Sequence, residues 1–162
     1  MAWVLDEIRT EHLLLRGINE TDVKYIVRWR SNPDVYKYFK SAHQITVEEH
    51  LDWFSNVYLK DKNRYDWICF EKESGHRIGV FGLYRDGEAA EVNYLLASEA
   101  QRKGYATEAI QKLIRYASEV WNCKRVIAEI HEENARSISL VERIGFKLKS
   151  KKSLFLIYEI EV

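Results

Sequence analysis

The stretch QRKGYATEA, Gln101 to Ala109, decides how the chain is read, because a glycine stands directly behind two cations and in front of a helical run. Ahead of it lies the strand-like AAEVNYLLA (89–97). Behind it Ala106, Ala109, Ile110, Leu113, Ile114, Ala117, Val120 and Trp121 recur three and four apart, the spacing of one helix face. A helix begun this way lacks the Ser, Asp or Asn that normally accepts from its first NH groups, since Ser98 and Glu99 come several residues too early. Those open donors, the positive end of the helix dipole and the charges of Arg102 and Lys103 suit an anion such as phosphate, which Gly104 lets the backbone approach. Glycine is also an acceptable N-cap and cations are ordinary on loops, so the loop alone leaves both readings open.

Upstream, EHLLLRGI (11–18) reads as an opening strand, and Asn19 or Thr21 caps a helix carrying Val23, Ile26, Val27 and Trp29 that SNPD interrupts at Pro33. Thr46 and Glu49 form a capping-box pair for a second helix with Leu51, Phe54, Val57 and Tyr58. YDWICFEK, RIGVFGLY and AAEVNYLLA then change to strand character, separated by ESGH and RDGE, and predict an antiparallel meander. After the long helix, KRVIAEIH is a strand. Asn134 caps a short helix with Ile138, Val141 and Ile144 that Gly145 stops, and LFLIYEIEV closes as one more strand. This order predicts an α+β fold: a mixed, mostly antiparallel central sheet flanked by helices.

Bulk composition narrows the function classes. The 162 residues, 46% hydrophobic and 31% charged with a single proline, are expected to form one domain over 1–162 without repeats or low-complexity linkers. Lys plus Arg and Asp plus Glu both number 25, so no electrostatic footprint for nucleic acid is present. The start MAWVLDEIRT has no leader pattern and no apolar run is long enough for a bilayer, which predicts a cytoplasmic protein without a membrane partner. Cys69, Cys123 and the five histidines show no metal-ligand spacing, so no metal is expected. The fingerprint in the loop is neither of the two glycine patterns of nucleotide-hydrolysing and dinucleotide folds.

QRKGYATEA followed 30 residues later by NARSISLVERIGF resembles the GNAT N-acetyltransferases, whose pyrophosphate loop reads Gln/Arg-x-x-Gly-x-Gly/Ala. The second run is similar in particular to the branch with ribosomal-protein alanine N-acetyltransferases, and the opening LLLRGINETDVKYIVRWRSNPDV extends the likeness over nearly the whole chain. The resemblance implies a GNAT-like acyl-CoA N-acyltransferase fold with acetyl-CoA as cosubstrate. By similarity, backbone NH groups from Gln101 through Gly104 and Tyr105 to Ala106 hold the pyrophosphate, with charge from Arg102 and Lys103. Leu95, Leu96 and Ala97 lie along a pantetheine arm that adds like an extra strand, and Asn134 contacts that arm.

Catalysis in such a fold is expected to be direct transfer, with proximity supplying much of the rate. Glu91 and Glu129, carboxylates on strands beside the loop, are the candidate bases, and a solvated face or lysine pairing is their alternative reading. Val141 stands where many relatives have a tyrosine acid. The similar branch has a serine three residues after its asparagine, and the resemblance thereby implies Ser137 as the candidate for assisting the thiolate; its alternative reading is a first-turn residue bonded to the backbone. The tail KLKSKKSLFLIYEIEV lacks the Glu-Gly pair of the similar branch. His131 and Cys123 are read as structural, since a reactive thiol needs an electropositive, open setting.

The acceptor is expected to be a protein N-terminus or a small-molecule amine. An α-amine near pKa 7.7 to 8.0 requires about 3.4 kcal/mol less deprotonation work than a lysine amine near 10.4. WRSNPDV with HQITVEEHLDWF also resembles amino-sugar nucleotide acetyltransferases, and a polyamine is disfavoured because no dense acidic cluster marks the early helices. Loss of both glutamates from the cleft would instead favour a non-catalytic acyl-CoA sensor. The expected assembly is a monomer or homodimer.

Overall fold

The structure, a computed structural model, describes residues 7–40 and 43–162. Strands β1 (Glu7–Arg9) and β2 (Leu13–Gly17) lead into helices α1 (Val23–Arg30), α2 (Pro33–Tyr36) and α3 (Val47–Asn56). The meander β3 (Arg64–Glu71), β4 (Arg77–Asp86) and β5 (Ala89–Leu96) follows, then α4 (Tyr105–Glu119), β6 (Arg125–His131), α5 (Ala135–Ile144), β7 (Lys147–Lys152) and β8 (Phe155–Glu161). They build one eight-stranded sheet in the order β1-β2-β3-β4-β5-β6-β8-β7. Every pairing among the described residues is antiparallel except β5 with β6, which α4 connects as a crossover.

Two apolar layers cover the sheet. Alternation along β5 sends Ala90, Val92 and Leu96 into the core under α4, where Leu113 is fully buried and contributes about 2 kcal/mol by leaving water. Leu95 goes to the opposite face, with Ile26 and Trp29 of α1 and Phe54 of α3. The helix face read from the sequence holds for Ala106, Ala109, Ile110, Leu113 and Ala117, and Tyr116 joins it, edge-on to Trp67 at 5.2 Å.

Several elements differ from their sequence reading. The tail is a hairpin of two strands rather than one, because every residue of β7 is exposed and hydrophobic alternation cannot reveal such a strand. The short β1 pairs with β2 at the opposite edge. Pro33 opens α2 at a first-turn position as well as ending α1. In α3, Thr46 Oγ1 accepts from the Glu49 NH at 3.1 Å as expected. The helix stops at Asn56, however, which leaves Val57 outside it and exposed; within the helix the buried face carries His50 and Phe54, and Leu51 is exposed.

Asn19, not Thr21, caps the turn before α1, and its own NH donates to Asp22 Oδ2 at 2.9 Å. Asp22 is wholly buried and also accepts from Arg16 at 3.0 and 3.1 Å and from Arg77 at 2.9 Å. Burial would raise its carboxyl; the bonds from Arg16, the Asn19 NH and Arg77 outweigh that and hold it below the ordinary 3.8. A group depressed on folding stabilises fully above its unfolded pKa, and that contribution is lost as pH falls through the folded one. Asp22→Asn is therefore expected to lower the unfolding free energy by about 2 kcal/mol at pH 7. It should also flatten the acid limb of stability below about pH 4. Denaturant unfolding from pH 3 to 7 measures both.

Candidate active site

Strands β5 and β6 pair over only three residues, Ala89↔Arg125, Ala90↔Val126 and Glu91↔Ile127, and then part. Each stays bound to its other neighbour, β5 to β4 as far as Leu96 and β6 to β8 as far as His131. A wedge therefore opens in the sheet with Glu91 at its vertex. Because the Ala97 NH is bonded to the Ile78 carbonyl at 2.8 Å, alternation turns the main-chain groups of Tyr94 and Leu96 into the wedge. Gln101 Nε2 reaches the Leu96 carbonyl there, at 3.3 Å.

Two cavities of about 640 and 740 Å³ meet across the wedge, both lined by Val35, Tyr38, Phe39, Tyr94, Leu95, Asn134 and Ser137. The larger one ends at the start of α4. Gly104, the N-cap residue, has φ +81° and Arg102 φ +67°, so two left-handed residues curl the loop. Among the described residues no side chain caps the helix. Glu108, the acid of the first turn, is turned away: it accepts from Thr10, the His12 NH and His12 Nδ1 and so ties α4 to the β1–β2 turn. The first NH groups of α4 have no intrahelical partner by geometry, and a loop of this curvature gathers main-chain NH groups into an anion-binding hollow.

Gln101, Arg102, Gly104, Tyr105 and Ala106 all line this cavity, together with Leu96, Arg136 and Arg143. Lys103 does not; its Nζ lies 3.8 Å from Glu71, which also accepts from the Tyr105 hydroxyl at 2.6 Å. Ala97 is buried under the α1–α3 layer. Asn134 Oδ1 caps α5 by accepting from the Ser137 NH at 3.3 Å.

The smaller cavity holds the titratable groups. Glu91 and Glu129 lie on one face of the sheet, since Glu91 pairs with Ile127 two residues before Glu129. Glu129 is ion-paired with Lys40, whereas among the described residues the Glu91 carboxylate has no hydrogen bond or ion pair. Burial, then the nearby Glu129 charge, raises Glu91 above the ordinary glutamate value, and Lys40 and Arg64 moderate the rise. On the other side of the wedge the Tyr94 hydroxyl and Ser137 Oγ are 2.7 Å apart. Ser137 thus bonds a side chain, and not the backbone, through its hydroxyl. Burial chiefly raises Tyr94, against the Ser137 hydrogen bond and the Arg136 charge.

His131 is wedged against Tyr38 and Phe155 at 5.5 Å each, and its Nδ1 accepts from the Glu133 NH. Burial pushes the Cys69 thiol up to about 12 and raises Cys123, so both stay protonated near neutrality and neither lines the cleft. Among the described residues no cluster of His, Cys, Asp or Glu is placed to hold a metal, and no helix is long and apolar enough to cross a membrane. Sequence reading missed Tyr94, Lys40, Arg30, Arg64, Arg136 and Arg143. Tyr94 was legible only as one position of an alternating strand, and its partner lies 43 residues away.

Residues 12–147 match the family model "Acetyltransferase (GNAT) domain". The chain is 30% identical over 162 residues, 96% of this chain and 88% of the relative, to an uncharacterized N-acetyltransferase p20 of Bacillus licheniformis. A solved domain from Methanocaldococcus jannaschii superposes with TM-score 0.83 at 26% identity, covering 97% of this chain and all of that one. The fold is also that of a spermidine N-acetyltransferase from Vibrio cholerae solved with CoA and spermine, at TM-score 0.80 and 19% identity over 94% of this chain and 96% of that one. With the wedge, the uncapped glycine-led helix and the family match over the same residues, this chain belongs to the GNAT acetyltransferases and is an acyltransferase.

Proposed function

We propose that the protein moves an acetyl group from acetyl-CoA directly to a primary amine, with the two cavities as donor and acceptor halves of one cleft. The carrying observation is the vertex itself: the loop at α4, the parted strands and the Glu91 carboxylate lie along one continuous opening. The thioester supplies an activated acyl group; the protein binds, orients and handles protons. Main-chain donors from Gln101 to Ala106 fit a diphosphate, with Arg102, Arg136 and Arg143 as nearby cations. Lys103, held towards Glu71, contributes through its charge at most. The inward main-chain groups of Tyr94 and Leu96, with Leu95 and Ala97 fixing the strand, fit the amides of an extended arm, and the Asn134 amide faces the same opening.

Glu91 takes the proton of the attacking amine. Its half-buried setting raises its basicity, and the Lys40 ammonium paired with Glu129 moderates that rise. Tyr94 serves the departing sulfur. Raised above 10, it exceeds the pKa of a thiol, about 8.5, so it stabilises the thiolate by donating a hydrogen bond and keeps its proton. Ser137 orients that hydroxyl. Tyr94→Phe is expected to lower kcat about tenfold and Ser137→Ala less than about threefold, because a thiolate needs little assistance. Steady-state rates at saturating acetyl-CoA test both.

A free-thiol release assay with acetyl-CoA and a panel of N-terminal peptides, amino sugars and polyamines tests the reaction. The proposal expects amine-dependent thiol release. Acetyl-CoA binding without release by any amine would favour the acyl-CoA sensor.

A further inference from the structure

We infer that the acceptor amine carries an anionic group, a carboxylate or a phosphate, which seats against the guanidinium groups of Arg30 and Arg64 while its amine meets Glu91. This rests on the acetyl-transfer reading above and specifies its substrate class. Arg30 closes α1 and Arg64 opens β3, and both line the acceptor cavity with His50, Trp53 and Asp66. Asp66 is committed to Arg64 through a bidentate pair at 3.0 and 3.2 Å. Gly82 leaves room for that carboxylate: a Cβ there would stand 2.3 Å from Asp66 Oδ1.

Arg30 has no such partner. Among the described residues it makes no ion pair, and its Nε is buried without a hydrogen-bond acceptor. Its head lies 5.2 Å over the Phe39 ring, a contact that engages the guanidinium face and not its NH edge. Burial and the like charge of Arg64 both disfavour its charged state, and no carboxylate offsets them. A half-buried guanidinium whose Nε is enclosed without an acceptor is destabilised, and an incoming anion offsets that cost.

The neighbouring histidine points the same way. Burial, Arg30 and Arg64 depress His50 to about 4, so it is neutral near pH 7, stacked on Trp53 at 5.2 Å, with Nε2 buried and unbonded. A neutral imidazole NH can donate to an anion without adding charge. Of the cavity's carboxylates, Asp66 and Glu129 are paired, Glu91 stands at the wedge vertex, and Glu49 is exposed to water in the first turn of α3. Among the described residues the cavity therefore presents one guanidinium without a carboxylate partner, at the end of α1, and a base at the vertex. A polycation such as spermidine would set an ammonium against Arg30.

Matched acceptors decide the matter at saturating acetyl-CoA: glucosamine 6-phosphate against glucosamine, 4-aminobutyrate against butylamine, and spermidine. In at least one pair the acceptor that bears the anionic group should show kcat/KM at least tenfold above the one that lacks it, and the pair that does so identifies phosphate or carboxylate. Arg30→Gln should collapse that ratio to within about twofold, chiefly through KM, while Arg30→Lys, which keeps the charge over Phe39, should retain much of it. Neutral amines or spermidine equalling the anionic ones in both pairs, or a ratio that survives Arg30→Gln, overturns the inference and leaves acetyl transfer standing. No thiol release from any amine, with acetyl-CoA bound, overturns the transfer reading instead.

Discussion

Replacing Glu91 by Gln is expected to lower kcat about 100-fold or more at pH 7, with the KM for acetyl-CoA changed by less than about threefold. The side chain keeps its shape and loses only its basicity, and a positioned general base contributes about 10²- to 10⁴-fold. Donor affinity is spared because the contacts proposed for acetyl-CoA lie beyond the vertex, along Tyr94 to Ala106. Glu129 cannot take over readily, since its carboxylate is engaged by Lys40. Part of the deficit should recede as pH rises past the pKa of the acceptor amine, because an amine arriving neutral needs no proton removed beforehand. For an α-amine, about a tenth neutral at pH 7, that recovery is about tenfold, and for a lysine-like amine it is far larger. Initial rates of thiol release from pH 6 to 9 give both quantities. Unchanged turnover in the variant would remove Glu91 from the mechanism.

The second large effect belongs to the loop. Gly104→Pro is expected to raise the KM for acetyl-CoA about 100-fold while shifting the unfolding midpoint of the unliganded protein by only a few degrees. Proline deletes one NH donor and forces φ to about −65° where the structure holds +81°, so the neighbouring donors lose their common aim. A single hydrogen bond to a charged group contributes about 1.5–3 kcal/mol, which alone spans most of that factor. The cost to folding is expected to be local strain in the loop and not a clash, since no atom lies within 4 Å of a Cβ at this position. Gly104→Ala, strained by about 1–2 kcal/mol in the left-handed region without losing the donor, should fall between the two.

The loop and the sheet face under α4 were legible because their signals are local: an uncapped glycine-led helix and a run of apolar residues at helical spacing. The meander was legible for the same reason, through period and turn residues. What escaped depends on distance or on edges. The exposed lysine-rich β7 carries no apolar alternation to read. The pairing of Tyr94 with Ser137 joins a strand to a helix across the wedge, and the Lys40–Glu129 ion pair joins the α2 region to β6. Arg30 reads in sequence as an ordinary helix-end cation, the position where the dipole favours one. Only its enclosure with Arg64 and His50 reveals an unmatched charge. The glutamates were named from their strands, but that Glu129 is the one ion-paired follows from the position of Lys40.

Titration calorimetry of the unliganded protein with coenzyme A, run at two temperatures, examines the main-chain donors at the start of α4 most directly. Saturable one-to-one binding that weakens about 100-fold in Gly104→Pro is the predicted result. No saturable heat at either temperature, or equal affinity in the variant, would contradict the account.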